Sequence, residues 1–441
     1  MNDQNPNLSP LSEAEGERLM RRVLWRLLPF IFCCYVISYL DRTNVGFAAI
    51  SMNQDLGLTA TMFGWAAGLF FFGYFIFELP SNLLLQRFGA RVWIARIMVT
   101  WGLLSMATAF ATGPVSFSIL RFLLGVAEAG FTPGIYLFFT YWFPGKWRAK
   151  ATAAFLLGIP TANIIGSPLS GWLMLQHDVM GLKNWQLLLV TESLPAVLLG
   201  VACLWVLVDS PAKAKWLSER EKQWLGNRIS QEQQSIGASH GHTLRSALTN
   251  PRVFTLAAVN FCCIVGSVGI GMWLPQIIKG LGISADKLGF VVAVPYLLGA
   301  IAMTLWARLA NRSEQRLPYV VGALAIAALA LVAAALAADP LVKIAALCVA
   351  VASILSFQAT FWAIPSTFLT GRAAAGGLAM IVSIGNLGGF TGPFMIGMIK
   401  DATHSFVIPF FAVAAILVIG IILMVLLGDP AKRQAPQGHA I

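Results

Sequence analysis

Long apolar runs separated by short polar stretches make up almost the whole chain. A helix needs about 20 apolar residues to cross the hydrocarbon core of a bilayer. Nine runs are long enough and free of Asp, Glu, Lys and Arg: 56–77, 97–120, 151–176, 253–278, 288–307, 317–338, 344–371, 373–399 and 402–428. Three more carry charge inside an otherwise apolar run, near 27–50 (Asp41, Arg42), 115–140 (Arg121, Glu128) and 184–208 (Glu192). The pattern predicts an all-α membrane protein of twelve transmembrane helices. A porin-like barrel is excluded, because its strands are about 10 residues long and alternate in polarity.

The polar segments divide this pattern. Residues 1–22 form a polar tail, 23–208 a six-helix bundle, 209–251 a basic linker, 252–428 a second six-helix bundle, and 429–441 a second tail. The tail has no cleavable signal pattern, so the first helix serves as an uncleaved targeting signal. The stretch from Gln231 to Gly241 is rich in Gln, Ser, Gly and His and reads as a flexible linker, too short for an enzymatic domain.

Composition agrees with the membrane reading. Hydrophobic residues are 58% of the chain and charged residues 11%, where a soluble domain carries about 25% charge. Mean hydropathy is +0.75. The net charge of +11 would suggest a polyanion in a soluble protein, but here it has a location. With the N-terminus in the cytoplasm, twenty-two of the thirty Lys and Arg residues fall on the cytoplasmic side. The other face holds Lys183, Lys279, Lys287, Lys343 and Lys400. The positive-inside rule then puts both termini in the cytoplasm of an inner (plasma) membrane protein, with the lipid bilayer and no nucleic acid as its surroundings.

The halves echo each other. Arg87 after predicted helix 2 and Arg312 after predicted helix 8 stand 225 positions apart. Gly166-Ser-Pro168 and Gly392-Pro393 stand 226 apart, and Cys33-Cys34 and Cys262-Cys263 stand 229 apart. Three matches in nearly one register argue for two pseudo-symmetric bundles around a central cavity.

Charges buried in the bilayer are functional candidates, since each costs about 2.5–3.5 kcal/mol at a helix centre. Arg121 and Glu128 are separated by about 10 Å of rise and about 20° of rotation, so they share a helix face. The same rise places Asp41 and Arg121 at comparable depth, with Glu128 nearer the midplane. Arginine stays charged and grips carboxylates bidentately. A buried acid changes its proton affinity as its access changes. Arg42 and Arg121 are therefore expected to attract or bind an anion, and Asp41 and Glu128 to carry protons. The plainer alternative is a pair of salt bridges locking helix 1 to helix 4.

Tyr39 and Tyr74 offer hydroxyls near these charges. Asn386, Asn163, Gln358 and Ser366 offer uncharged hydrogen-bonding groups, and Trp362 a ring to stack on an aromatic acid. For Asn163, Gln358 and Ser366 ordinary helix–helix hydrogen bonding competes. Glu78 belongs to an inner gate or to packing, and Glu192 is expected to be a structural ion-pair partner. Arg87, Arg91, Arg312 and Arg316 fit inner-gate contacts, with plain positive-inside charge as the rival. The six cysteines form no CxxC or Cys/His cluster, so no metal site is indicated. There is no P-loop and no G-x-S-x-G elbow, so neither ATP-driven transport nor an enzyme has support.

These residues resemble the major facilitator superfamily. The loop Asn82 to Arg91 is similar to its G-x-x-x-D-R-x-G-R-R signature, with Asn82, Gln86 and Ala90 as departures. Further pieces resemble one branch, the anion:cation symporter family: Leu40-Asp41-Arg42-Thr43-Asn44, Glu78-Leu-Pro80, Arg121 to Gly130, Trp185 to Glu192, Asp209-Ser-Pro211, Phe361 to Pro365 and Gly385-Asn386 to Pro393. The resemblance implies the major facilitator fold, commonly monomeric. It also implies proton symport of organic acids such as tartrate, phthalate, hydroxyphenylacetate or sugar acids. By the same resemblance, positions matching Asp41 and Glu128 are proton sites. Those matching Arg42 and Arg121 serve anion binding or coupling, and Tyr39 and Tyr74 line the cavity. No cofactor is expected, the proton gradient being the energy source. An anion exchanger or uniporter on the same fold is the rival reading. A transporter-like nutrient sensor is a remoter one, since it would usually carry a large tail, and only 14 residues follow Leu427.

Overall fold

The computed structural model describes residues 11–238, 249–313, 315–365 and 371–428, the side chains of 233–238 and 371–375 excepted. The described residues are helical nearly throughout. The N-terminal half contains α1 (Glu13–Asp55), α2 (Ala60–Phe88), α3 (Ala90–Thr108), α4 (Pro114–Glu128 continued by Phe131–Trp142), α5 (Gly145–Leu156 continued by Gly158–Leu173) and α6 (Asn184–Val206). A linker helix α7 (Glu219–Ala238) follows. The C-terminal half contains α8 (Pro251–Gly280), α9 (Ala285–Arg312), α10 (Leu317–Leu336), α11 (Pro340–Phe361), α12 (Gly371–Thr403) and α13 (Val407–Leu427).

Eleven of these helices, all but α3 and α7, are long and apolar enough to span a membrane. The twelfth predicted span, α3, has only 19 residues and carries Arg91 and Arg96 near its start. Large apolar side chains such as Leu329 and Leu426 remain exposed on the outside of the bundle, where lipid would cover them.

Two expectations need correction. The uncharged run 97–120 is not one helix. α3 stops at Thr108 and α4 starts at Pro114, because proline favours the first helical position and Ser116 Oγ accepts the Thr112 and Gly113 N–H groups at 2.9 and 3.1 Å. The stretch from Gln231 is also not a flexible linker at its start, since α7 runs to Ala238. Ion pairs dock α7 on the N-terminal half: Arg22 with Glu221, Arg148 with Glu232, and Arg220 with Glu15. A capping box at Ser12 and Glu15 starts α1 well before its apolar run.

The halves meet along α2 with α12, α5 with α9, and α1 with α8. Their closest backbone approaches lie toward the end that carries Lys183, Lys287 and Lys400, here termed the lysine face. A Cβ at Gly64 would stand 2.3 Å from the Pro393 carbonyl oxygen, and one at Gly289 2.4 Å from that of Ser167. Only glycine permits such contact. The lysine face also carries a cross-half cap. The Asp401 carboxylate on α12 accepts the α2 N–H groups of Ala60 at 3.0 Å and Thr61 at 2.7 Å. A carboxylate at a helix N-terminus answers both its free donors and its dipole. Asp401→Ala is expected to loosen this face by about 1 kcal/mol, roughly fivefold in the balance between apposed and separated halves. Pulsed spin-label distances between α2 and α12 would read that change, and an unaltered distribution would refute it.

Candidate functional site

Helix α1 carries Ser38, Asp41 and Arg42 on neighbouring turns, three and four residues apart, which a helix places on one side. α4 brings Glu128 to the same level. The Arg42 guanidinium meets Glu128 Oε1 at 2.6 Å through Nη2 and at 2.8 Å through Nε. Ser38 Oγ donates to the same oxygen at 2.8 Å. Glu128 is 1% exposed and Arg42 16%. The rings of Tyr39, Phe70 and Tyr74 surround the guanidinium at 5.2–5.4 Å from Cζ, a packing that favours a desolvated cation.

Arg121, expected to act with Arg42, takes a different place. Its Cζ lies 5.1 Å from the centroid of the same Phe70 ring, and it is buried. Nε and Nη2 find no acceptor among the described residues. It faces Asp41 and Glu128 through space without bonding to either. The locking alternative is thus realised in one pair, Arg42 with Glu128, and not in a second.

Asp41 is held by neutral donors. Ser105 Oγ donates at 2.6 Å, Trp101 Nε1 at 2.8 Å and Asn44 Nδ2 at 3.3 Å, with Ser193 Oγ 3.0 Å away. Trp101 and Ser105 come from α3 and Ser193 from α6. None of these was singled out from the sequence. The four-residue spacing of Trp101 and Ser105, a polar edge on an apolar helix, is the only signal that could have found them. Glu192 also departs from expectation. No cation pairs with it among the described residues, and its carboxylate accepts instead from Ser170 Oγ at 2.7 Å.

A cavity of about 110 Å³ lies between the halves. Its wall includes Tyr39, Arg42, Thr43 and Asn163 from the N-terminal half and Ser267, Tyr296, Gln358 and Asn386 from the other. Arg42 is the cation in that lining. Gln358 Nε2 is 3.4 Å from Ser267 Oγ, and Asn163 Nδ2 donates to the Ile159 carbonyl at 2.9 Å. Tyr74, Arg121 and Trp362 are outside the lining, Trp362 resting edge-on against Phe361. Ser366 lies outside the described residues. Glu78 sits at the seam, where Ser383 Oγ of α12 donates to its Oε2 at 3.4 Å.

The signature loop is positioned by an acid from elsewhere. Gly89 takes φ 88°, which ends α2 and turns the chain into α3. The Arg91 N–H donates to Asp209 Oδ1 at 3.0 Å, and Lys213 pairs with Oδ2 at 3.1 Å. Arg87 lies over the Phe88 ring, 5.7 Å from its centroid. Arg87, Arg91, Arg312 and Arg316 make no ion pair among the described residues.

Known proteins share this architecture. A protein of Agrobacterium vitis that carries the name of a tartrate transporter is 48% identical over 416 residues, covering 94% of this chain and 92% of its own. A quinolone resistance transporter of Acinetobacter baumannii is 40% identical over 420 residues, covering 95% and 97%. The inward-open structure of the xylose transporter XylE from E. coli superposes with a TM-score of 0.75 at 13% identity, covering 92% of this chain and 96% of its own, which establishes the fold. The family model described as Major Facilitator Superfamily matches residues 31–393. The chain belongs to the major facilitator superfamily of membrane transporters.

Proposed function

We propose that the protein imports a small organic carboxylate with protons by alternating access, the arginine-rich face lying in the cytoplasm. The observation that carries this reading is Arg42. Its guanidinium lines a cavity between the halves while also paired with Glu128. A substrate carboxylate and the Glu128 carboxylate compete for that cation. Protonation of Glu128 frees Arg42 for the substrate, and loss of the proton restores the internal pair and expels the anion. Binding and protonation are then coupled by one guanidinium. Arg121 supplies positive potential from behind Phe70, and Asp41 is a second proton-bearing acid. Gln358 and Asn386 offer neutral hydrogen bonds across the cavity, which suits a hydroxylated acid, and the relative named for tartrate supports that class. No cofactor is invoked, since the proton gradient supplies the energy, and the carrier works as a monomer in the inner membrane.

Proteoliposomes with an imposed inward proton gradient and no internal anion should accumulate labelled tartrate or a related hydroxy acid. An exchanger would accumulate none, and that result would replace symport with exchange. Asn386→Ala should raise the substrate KM about tenfold, the loss of one hydrogen bond to a charged ligand. An unchanged KM would remove Asn386 from the binding site.

A further inference from the structure

We propose that Glu192 on α6 is a third proton-carrying residue, joined to Asp41 on α1 through Asn44 as one acid pair. Glu192 is 2% exposed. Ser170 satisfies one carboxyl oxygen, while Oε2 has no hydrogen-bond partner among the described residues. Asn44 interacts with both acids, its amide nitrogen directed to Asp41, and its own Oδ1 is likewise buried and unpartnered. Two buried oxygens that can only accept therefore lack a hydrogen bond among the described residues, the Asn44 amide nitrogen beside Glu192 being already engaged by Asp41. A proton on Glu192 supplies a donor there, because a neutral carboxyl presents one O–H. It also removes the cost of an ionised carboxylate buried without a cation.

Asp41 is the titratable group that faces Glu192. α5 contributes Ser170, a neutral hydroxyl, and α3 contributes only neutral donors to Asp41. Arg121 on α4 faces Asp41. Asp41, with its several donors, is the first of the pair to give up its proton, and Glu192 holds its own longer. Two ionised acids so close would repel, so the pair retains one proton until the surroundings open to water. On release the proton passes to that water and Glu192 becomes the second carboxylate.

Infrared difference spectroscopy of the full chain in lipid tests this directly. The wild type should display a carboxylic-acid C=O band that disappears on alkaline titration and is absent from Glu192→Gln. A band unchanged in that variant would overturn the proposal. If Glu192→Gln does not fold, Ser170→Ala keeps the acid and removes its hydroxyl donor, so the band must shift. An unshifted band overturns the proposal equally. The transport arm rests on the symport reading above. In proteoliposomes the proton-to-substrate ratio should fall in Glu192→Gln, and an unchanged ratio counts against the inference. If the wild type itself fails to accumulate substrate on a proton gradient, symport is refuted while the infrared result still decides the state of Glu192.

Discussion

Arg42→Ala should abolish uptake and destabilise the fold by about 3–5 kcal/mol, the cost of leaving a buried partner charge uncompensated. Glu128 is 1% exposed and would keep only the Ser38 hydroxyl. The second variant gives the test its force. Arg42→Ala combined with Glu128→Gln removes both charges, so thermal stability in detergent should largely return while uptake stays absent. Equilibrium binding of labelled substrate to the stable double variant, which does not need the Glu128 proton, should be absent as well, as expected when the arginine is needed for the anion and not only for the fold. Recovery of binding in the double variant would show that Arg42 serves Glu128 alone. Arg42→Lys should also fail to transport, because an ammonium cannot reproduce the two-nitrogen grip seen at Glu128.

Gly64→Val and Gly289→Val should each hold the lysine face apart. Any side chain at these positions meets a carbonyl oxygen of the opposite half, 2.3 Å away at Gly64 and 2.4 Å at Gly289. Backbone cannot rotate aside as a side chain can. Overpacking of about 1–3 kcal/mol corresponds to roughly a fivefold to 150-fold shift of the equilibrium toward separated halves. Labelling of Thr43→Cys in the cavity by an impermeant maleimide, applied from the lysine face in a cysteine-free background, would report it. Transport should fall in parallel. Equal labelling with and without the valines would mean that these contacts do not set the conformational balance.

The membrane spans were legible from the order of residues, for a simple reason. Backbone groups in hydrocarbon must be satisfied within one helix, so each span has to announce itself as an uninterrupted apolar run. Where the reading slipped, a local feature overrode the run. Gly113-Pro114 breaks 97–120 although it holds no charge. The α7 segment reads as linker by composition, yet ion pairs to Arg22 and Arg148 hold part of it against the N-terminal half.

The site was legible in part. Asp41, Arg42, Arg121 and Glu128 stood out because charge in an apolar run is costly and therefore retained for a purpose. Their grouping on α1 and α4 followed from helical spacing alone. Their pairing did not. Whether Glu128 meets an arginine of α1 depends on how α1 packs against α4, and that packing gave the contact to Arg42, leaving Arg121 beside the Phe70 ring. Neutral residues left no comparable mark. Ser105, Ser193 and Trp101 are unremarkable in an apolar helix until packing brings three helices around one carboxylate.

Membership of the bilayer, the position of most spans and the identity of the buried charges were thus fixed by the chain's own order, because each is a local consequence of hydropathy. The partner of each charge, the cavity between the halves and the glycine contacts that hold the lysine face together depend on residues far apart in the chain. Glu128 lies 86 positions from Arg42, and Asp401 lies 341 from the Ala60 N–H it accepts. Distances of that kind are set by helix rotation and close packing, and only the tertiary structure decided them.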